Sequence, residues 1–117
     1  MKLSEVVQIL DATLLTDGGR PDLEITKGGA SDLMSAILAG MSENSILITG
    51  LLTTHVIKTA IVAGVSCIVI VRGKKPSQDV IQMAREGEIP VLLTPCSMFV
   101  SCGRLYNQYL TGLDGNR

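Results

Sequence analysis

The chain has 117 residues, of which 46% are hydrophobic, 3% aromatic and 18% charged, and its net charge is −1. This length fits one domain with a core of aliphatic side chains, and 1–117 is read as that single domain. The interspersed charges exclude a nucleic-acid binder, which needs a basic face, and no apolar run is long enough to span a membrane.

The first part of the chain predicts a helix, a strand and a second helix. "LSEVVQILDAT" (3–13) has the apolar spacing of an amphipathic helix, and "DLEITK" (22–27) resembles a strand. "SDLMSAILAG" (31–40) is then the helix that follows this strand in the chain. Its inward residues are expected to be Leu33, Met34, Ile37 and Leu38.

Three apolar runs without alternation follow, and they predict strands that are buried on both faces. The runs are "SILIT" (45–49), "CIVIV" (67–71) and "IPVLLT" (89–94). Such strands are typical of parallel sheets, and the helical segments between them are typical of right-handed crossovers. We therefore predict a three-layer α/β domain with a mainly parallel sheet of about four to five strands flanked by helices.

The connecting segments predict helices with recognisable ends. The helix at 53–63 should end at Gly64, and the helix at 77–86 should begin at the N-cap Ser77. Thr94 and Pro95 indicate the start of the last helix. The residues of that helix expected to face inward are Met98, Phe99, Cys102, Leu105 and Tyr106. Residues 112–117 are expected to form a frayed tail.

The loops that follow parallel strands meet at one edge of the sheet, where open α/β folds bind ligands. Here they are 27–32, 49–54, 72–77 and 94–97. Glycines, helix N-termini and the basic stretch "RGKK" favour an anion such as phosphate at this edge. The candidate ligand-binding residues are Gly28, Gly29, Ser31, Asp32, Thr49, Gly50, Arg72, Gly73, Lys74 and Thr94.

A competing interpretation of the same loops is turn chemistry and solubility. Neither "GGASD" nor "RGKKPS" matches a phosphate-binding fingerprint, and Asp32 is also explained by support of a helix N-terminus. The anion site and the solvated loop therefore both stay open. No nucleophile–base pair is visible, so we do not expect an enzyme.

The three cysteines suit reduced thiols in the cytoplasm better than a disulfide framework. Cys67 begins a buried strand and is expected to act as a small hydrophobe. Cys96 and Cys102 are candidate metal or cluster ligands only if a partner shares the site, because the chain lacks a fourth thiol. No metal site of the chain's own is expected.

Several blocks resemble the DRTGG domain in order and spacing from about residue 22 onward. They are "KGGASDLMSAILAG", "ILITGLLTTHVIKTA", "CIVIVRGKKPSQDVIQMAREGEIPVLLTPCSMF" and "GRLY". The resemblance extends to the non-catalytic N-terminal domain of HPr kinase/phosphorylase. Such domains occur in phosphotransacetylases, beside CBS domains in pyrophosphatases, and as small free-standing bacterial proteins, often encoded near iron–sulfur and hydrogenase proteins.

The sequence departs from the motif that gives the family its name. The Asp-Arg of the family would fall near 52–54 but is absent, and Val71, Arg72 and Gly73 stand in place of Thr-Gly-Gly. A ligand role of the family's Asp-Arg therefore cannot be transferred to this chain. We hypothesise that the positive charge has moved to Arg72 and Lys74.

The resemblance implies a compact, commonly dimeric domain that regulates or assembles without catalysis. We therefore expect a cytoplasmic homodimeric module that senses a small anion, a phosphate or a nucleotide, and carries no cofactor. The low charged fraction also favours a homodimer, with the first or last helix at the interface. The alternative is an accessory protein of an iron–sulfur or hydrogenase system that acts through protein–protein contacts. Neither a nucleic-acid nor a membrane partner is expected.

Overall fold

The centre of the protein is a six-stranded sheet, seen in a computed structural model that describes residues 1–16 and 20–113. Its strands are β1 (Thr13–Leu14), β2 (Lys27–Ala30), β3 (Ser45–Thr49), β4 (Cys67–Ile70), β5 (Val91–Leu93) and β6 (Thr111–Gly112). The strand order is β1-β5-β4-β3-β2-β6. Only β1 pairs antiparallel, with β5, and the other neighbouring pairs are parallel.

Helices cover both faces of this sheet. They are α1 (Leu3–Ile9), α2 (Met34–Gly40), α3 (Thr54–Ala63), α4 (Gln78–Glu86) and α5 (Met98–Asn107). Buried residues of α2, α3 and α4 form one apolar cluster with one face of the sheet, and α1 and α5 form a second cluster with the opposite face. The predicted three-layer, mainly parallel α/β fold is therefore confirmed.

The unbroken apolar runs follow from these two clusters. Successive side chains of a strand point to opposite faces, so a strand between two helical layers needs an apolar residue at every position. In β3, Leu47 lies in the first cluster and Ile46 and Ile48 lie in the second. In β4, Ile68 and Val69 divide between the clusters in the same way.

The strand predicted at 22–27 is wrong in position, because β2 begins where that prediction ends. Residues 24–25 pair with the N-terminus instead: Glu24 bridges Lys2, and the Ile25 N–H donates to the Met1 carbonyl oxygen at 2.7 Å. The sheet strand is the glycine-containing stretch Lys27–Ala30, which pairs with β3 on one side and β6 on the other.

Two helices also differ from their predicted boundaries and faces. α2 begins at Met34, and of the residues predicted inward only Ile37 is buried, while Leu33 and Leu38 are exposed. α5 begins after the N-cap Ser97, whose Oγ accepts a hydrogen bond from the Val100 N–H at 3.2 Å. The start predicted at Thr94 is wrong, because the Thr94 and Cys96 carbonyls still accept hydrogen bonds from the Gly73 and Arg72 N–H groups of the neighbouring loop.

The inward face of α5 is rotated from the prediction. Leu105 is buried as expected, but Ser101 is buried too, whereas Phe99 and Tyr106 are exposed. The frayed tail predicted at 112–117 is wrong for Gly112, which pairs with Gly28 in the sheet. Residues 114–117 lie outside the described part of the chain.

Candidate functional site

Four parallel strands end at one edge of the sheet, and four of the predicted site residues meet there. Asp32 follows β2, Gly50 follows β3, Arg72 follows β4 and Thr94 follows β5. This placement is the one expected for a ligand site of an open α/β sheet. The side chains nevertheless have different roles, which their contacts define.

Asp32 fastens the end of β3. Its Oδ1 accepts hydrogen bonds from the Thr49 hydroxyl at 2.9 Å and from the Gly50 N–H at 2.7 Å. Thr49 is fully buried. α2 has no side-chain cap hydrogen bond, so any support that Asp32 gives to its N-terminus is electrostatic and stays a prediction. At that turn the Ser31 Oγ accepts from the Leu33 N–H at 3.0 Å.

Arg72 extends across Gly50 toward Asp32. Its Nη2 lies 2.7 Å from the position that a Cβ of residue 50 would occupy, and the Asp32 Oδ2 lies 3.4 Å from the same position. Only the lack of a side chain at Gly50 leaves room for the guanidinium. Within the described residues the Arg72 side chain has no hydrogen-bond or ion-pair partner.

The backbone holds Arg72 in a conformation that L residues seldom adopt. Arg72 has φ +65° and Gly73 has φ +66°, both in the left-handed region. Two hydrogen bonds fix this turn: the Arg72 N–H donates to the Cys96 carbonyl and the Gly73 N–H to the Thr94 carbonyl, each at 2.8 Å. The loops after β4 and β5 are thus joined through the backbone of Arg72 and Gly73.

Thr94 belongs to the scaffold of this edge. It is fully buried, its hydroxyl donates to the Leu10 carbonyl oxygen at 2.6 Å, and it accepts from the Cys96 N–H at 3.1 Å. A hydroxyl used in this way ties the loop 94–97 to α1. Its role in the loop could not be found from sequence, since the Leu10 carbonyl comes from a distant segment.

Gly28 and Gly29 lie within β2 and not in a loop. A Cβ at Gly28 would lie 2.9 Å from a Leu110 methyl carbon, and a Cβ at Gly29 would lie 2.6 Å from a Leu113 methyl carbon. Because these glycines have no side chains, Leu110 and Leu113 of the C-terminal segment can pack directly against β2. Gly28 and Gly29 also border an apolar cavity of about 110 Å³ between α5 and the edge of the sheet. Its lining residues are Gly28, Gly29, Ala30, Ile48, Cys102, Leu105, Tyr106, Leu110, Thr111 and Gly112.

The remaining cations of the basic stretch extend from the same loop. Lys74 and Lys75 are exposed, and Gly73 precedes them in the turn. This gives three positive side chains on one short loop, and of these the Arg72 guanidinium lies over Gly50, as the Asp32 carboxylate does. The arrangement can hold an anion through charge-assisted hydrogen bonds, for which a guanidinium is well suited.

The cysteines differ in environment. Cys67 is fully buried, and burial raises the pKa of its thiol far above the ordinary value. Burial also raises the pKa of Cys102, partly offset by a backbone hydrogen bond. Among the described residues, no group of three His, Cys, Asp or Glu side chains could hold a metal ion. A shared site through Cys96 and Cys102 stays a prediction.

The size and polarity of the helices bear on membrane association. Over residues 1–16 and 20–113, none of them has the length and apolar character needed to cross a bilayer.

His55, the single histidine of the chain, lies exposed in the first turn of α3.

Comparison with known proteins gives a family and a fold. The DRTGG domain family matches residues 5–106. The structure is also similar to one described as the CBS and DRTGG domains of the regulatory region of Clostridium perfringens pyrophosphatase, complexed with its activator diadenosine tetraphosphate. The TM-score is 0.75 at 23% identity, over 99% of this chain and 50% of that chain. This chain thus spans about half the length of its solved relative. No curated protein matches the sequence.

Proposed function

Since the chain belongs to the DRTGG domain family, we propose that it is a non-catalytic regulatory module that binds a small anion at the carboxyl edge of its sheet. A nucleotide is the ligand class that we favour. The observation that carries this proposal is the Arg72 guanidinium, which lies over Gly50 with no partner in the described residues. The nucleotide activator of the similar pyrophosphatase region supports the ligand class.

The arrangement around Arg72 favours an anion site over a merely solvated loop. A solubilising arginine needs no defined direction, whereas this one leaves a turn fixed by two backbone hydrogen bonds and lies across a glycine. Its five N–H donors are available for a phosphate, and Lys74 adds a second charge on the same loop. The site thereby combines the planar Arg72 guanidinium with the flexible, positively charged side chain of Lys74.

A regulatory role is proposed instead of catalysis because the Thr49 hydroxyl, which lies beside the Asp32 carboxylate, is inaccessible. Thr49 donates to Asp32, but it is fully buried and also accepts from the Leu51 N–H at 3.2 Å. This pair holds the end of β3 and offers no exposed nucleophile. Catalysis of acyl or phosphoryl transfer through a covalent intermediate would need one.

We also propose that the protein acts as a homodimer through α5. Phe99 is 87% exposed, and Val100 and Tyr106 of the same helix are also exposed. An apolar stripe of this kind on a chain with few charges is typical of a surface covered by another copy. We also propose that the protein acts inside the cell, where its cysteines stay reduced.

Ligand-dependent thermal unfolding tests the proposed function. Inorganic phosphate, pyrophosphate, AMP, ATP and diadenosine tetraphosphate would each be added at millimolar concentration to wild type, to Arg72→Ala and to Lys58→Ala. Lys58 is an exposed cation on α3 and serves as the matched charge control. We expect at least one probe to raise the melting temperature of wild type and Lys58→Ala but not of Arg72→Ala. If no probe raises the wild-type melting temperature, the proposal is overturned.

A further inference from the structure

The apolar cavity of about 110 Å³ beside α5 opens to solvent. Its lining includes Gly28 and Ala30 of β2 and Cys102 and Tyr106 of α5, and both Ala30 and Tyr106 are exposed. In the described part of the chain no charged side chain lines it. Since an apolar cavity of about 150 Å³ can hold a benzene ring, an open cavity of this size and polarity suits an apolar side chain and not an anion.

The Phe99 side chain lies on the same side of α5 as the cavity. Cys102 and Tyr106 follow Phe99 by three and seven residues, a spacing that puts the three residues on one side of a helix. Phe99 is 87% exposed, and it belongs to neither of the two apolar clusters that the described residues form. The protein therefore carries a large exposed ring and an apolar cavity on one surface.

Charge does not oppose a contact between two such surfaces. Arg104 is the single charged residue of α5, and its Nη1 donates to the Ile9 carbonyl oxygen at 3.2 Å and lies 3.4 Å from the Asp11 carboxylate. Arg104 thus lies on the side of α5 that faces α1. Two copies can bring their Phe99 surfaces together without burying an unpaired charge.

A two-fold axis matches the ring to the cavity twice. In an isologous dimer, a contact between one residue of the first copy and another residue of the second copy is repeated by symmetry. Two α5 helices packed antiparallel place Phe99 of each copy opposite Tyr106 of the other, and Tyr106 lines the cavity. Phe99 is not among the residues that line the cavity of its own chain.

We propose that the two copies of the homodimer are joined by insertion of Phe99 of each into the cavity beside Ala30 and Cys102 of the other. This inference rests on the proposed function and deepens it, because it names the surface of the second copy that α5 contacts. A buried aromatic ring removes about 150–250 Å² from water, so the two rings supply about 300–500 Å² of the about 1,600 Å² that a standard interface buries. The exposed side chains of Val100 and Tyr106 flank the ring and extend the contact.

A double-mutant cycle on the full chain, followed by sedimentation equilibrium, tests this contact. Ala30→Leu narrows the cavity from its exposed rim, and Phe99→Ala removes the ring. Each change alone should weaken dimerisation about tenfold or more, because an anchor residue and its cavity are each affected twice in a symmetric dimer. In the Phe99→Ala background, Ala30→Leu should have no further effect, since no ring enters the cavity.

Val100→Ala is the matched control on the same helix. Val100 is also exposed, but it follows Phe99 by one residue and therefore lies about 100° further around α5. Its effect on the dissociation constant should multiply with that of Ala30→Leu, because the two side chains do not contact each other across the interface.

Alkylation of Cys102 by iodoacetamide provides a second measurement on wild type. Cys102 is half-buried and lines the cavity, so its thiol is accessible in one chain and covered when the ring of the second copy enters. Mass spectrometry of the Cys102 peptide should show protection in concentrated protein and loss of that protection on dilution to the monomer. Both samples are kept at one pH, because the thiolate is the reactive form.

The outcomes are distinguishable. If the effects of Ala30→Leu and Phe99→Ala multiply, or if dilution leaves the alkylation rate of Cys102 unchanged, the inference is overturned and the homodimer stands on another surface. A single chain mass for wild type at every concentration overturns both the homodimer and the inference. If a variant does not fold, or if Phe99→Ala shows no measurable dimer, the alkylation of wild-type Cys102 decides alone.

Discussion

The Arg72 guanidinium occupies the space that a side chain at residue 50 would fill, with its Nη2 2.7 Å from the absent Cβ of Gly50. The two residues end neighbouring parallel strands, β4 and β3. A glycine after one strand thus sets the position of an arginine after the next. A substitution at Gly50 can therefore displace the Arg72 side chain without removing its charge.

Gly50→Ala should weaken binding of the phosphate-bearing probes about tenfold or more, because the new methyl group displaces the guanidinium. The free energy of unfolding should change by only about 0.5 kcal/mol, since the displaced atom ends a flexible exposed side chain. Gly103→Ala in α5 is the matched control. A Cβ there meets nothing within 4 Å, so it should leave binding unchanged and stabilise the helix by about 0.5–1 kcal/mol. Unchanged binding in Gly50→Ala would refute the role assigned to Arg72.

Replacing Arg72 itself distinguishes the effect of its guanidinium on binding from the effect of its backbone conformation on stability. Arg72→Gly and Arg72→Ala should both abolish the ligand-induced rise in melting temperature, because each removes the guanidinium. Glycine should be the more stable replacement by about 1 kcal/mol, since φ +65° lies in the left-handed region that costs an L side chain energy. Urea unfolding of the two variants measures the difference, and a more stable Arg72→Ala would contradict the described turn.

Asp32→Ala should lower the free energy of unfolding by about 1–3 kcal/mol, because the buried Thr49 hydroxyl and the Gly50 N–H lose their acceptor. Asp32→Asn should cost less, since it keeps an oxygen at that position. A double-mutant cycle with Thr49→Val checks the mechanism by chemical denaturation. If Asp32→Ala costs as much in the Thr49→Val background as in wild type, the hydrogen bond contributes nothing to stability.

Cys67 should make stability fall in alkaline solution. Burial raises the pKa of its thiol in the folded chain, so the unfolded chain ionises first. The contribution of the neutral Cys67 thiol to the free energy of unfolding is fully present below the pKa of an unfolded thiol, about 8.5. Above that pH the free energy of unfolding decreases by up to about 1.4 kcal/mol per pH unit. Urea unfolding at a series of pH values, compared with Cys67→Ala, isolates this group from other titrations. Identical pH slopes for the two proteins would exclude the effect.

Phe99→Glu should convert the proposed dimer to a monomer, because a charge in the centre of an apolar interface is left without a partner. Light scattering should give twice the 12.4 kDa chain mass for wild type and the single chain mass for the variant. Val62→Glu is the control, since Val62 is 76% exposed on α3 and belongs to the opposite face. A wild-type mass of one chain at micromolar concentration would exclude the dimer.

The positions and burial of the central strands could be predicted from the sequence. A strand between two helical layers has to be apolar at successive positions, and 45–49, 67–71 and 89–94 meet that requirement locally. The parallel arrangement then brings the strand-end loops to one edge. For this reason the sequence alone places Asp32, Gly50 and Arg72 in one group.

The tertiary structure alone decided how those residues are used. Nothing local predicts that Asp32 hydrogen-bonds across to Thr49, that Arg72 lies over Gly50, or that Thr94 is turned inward to Leu10. The strand β2 was also missed, because its glycines disfavour a strand by themselves and are required there only by the packing of Leu110 and Leu113. Local sequence fixes which residues can be buried, whereas contacts between distant segments determine the direction of each side chain.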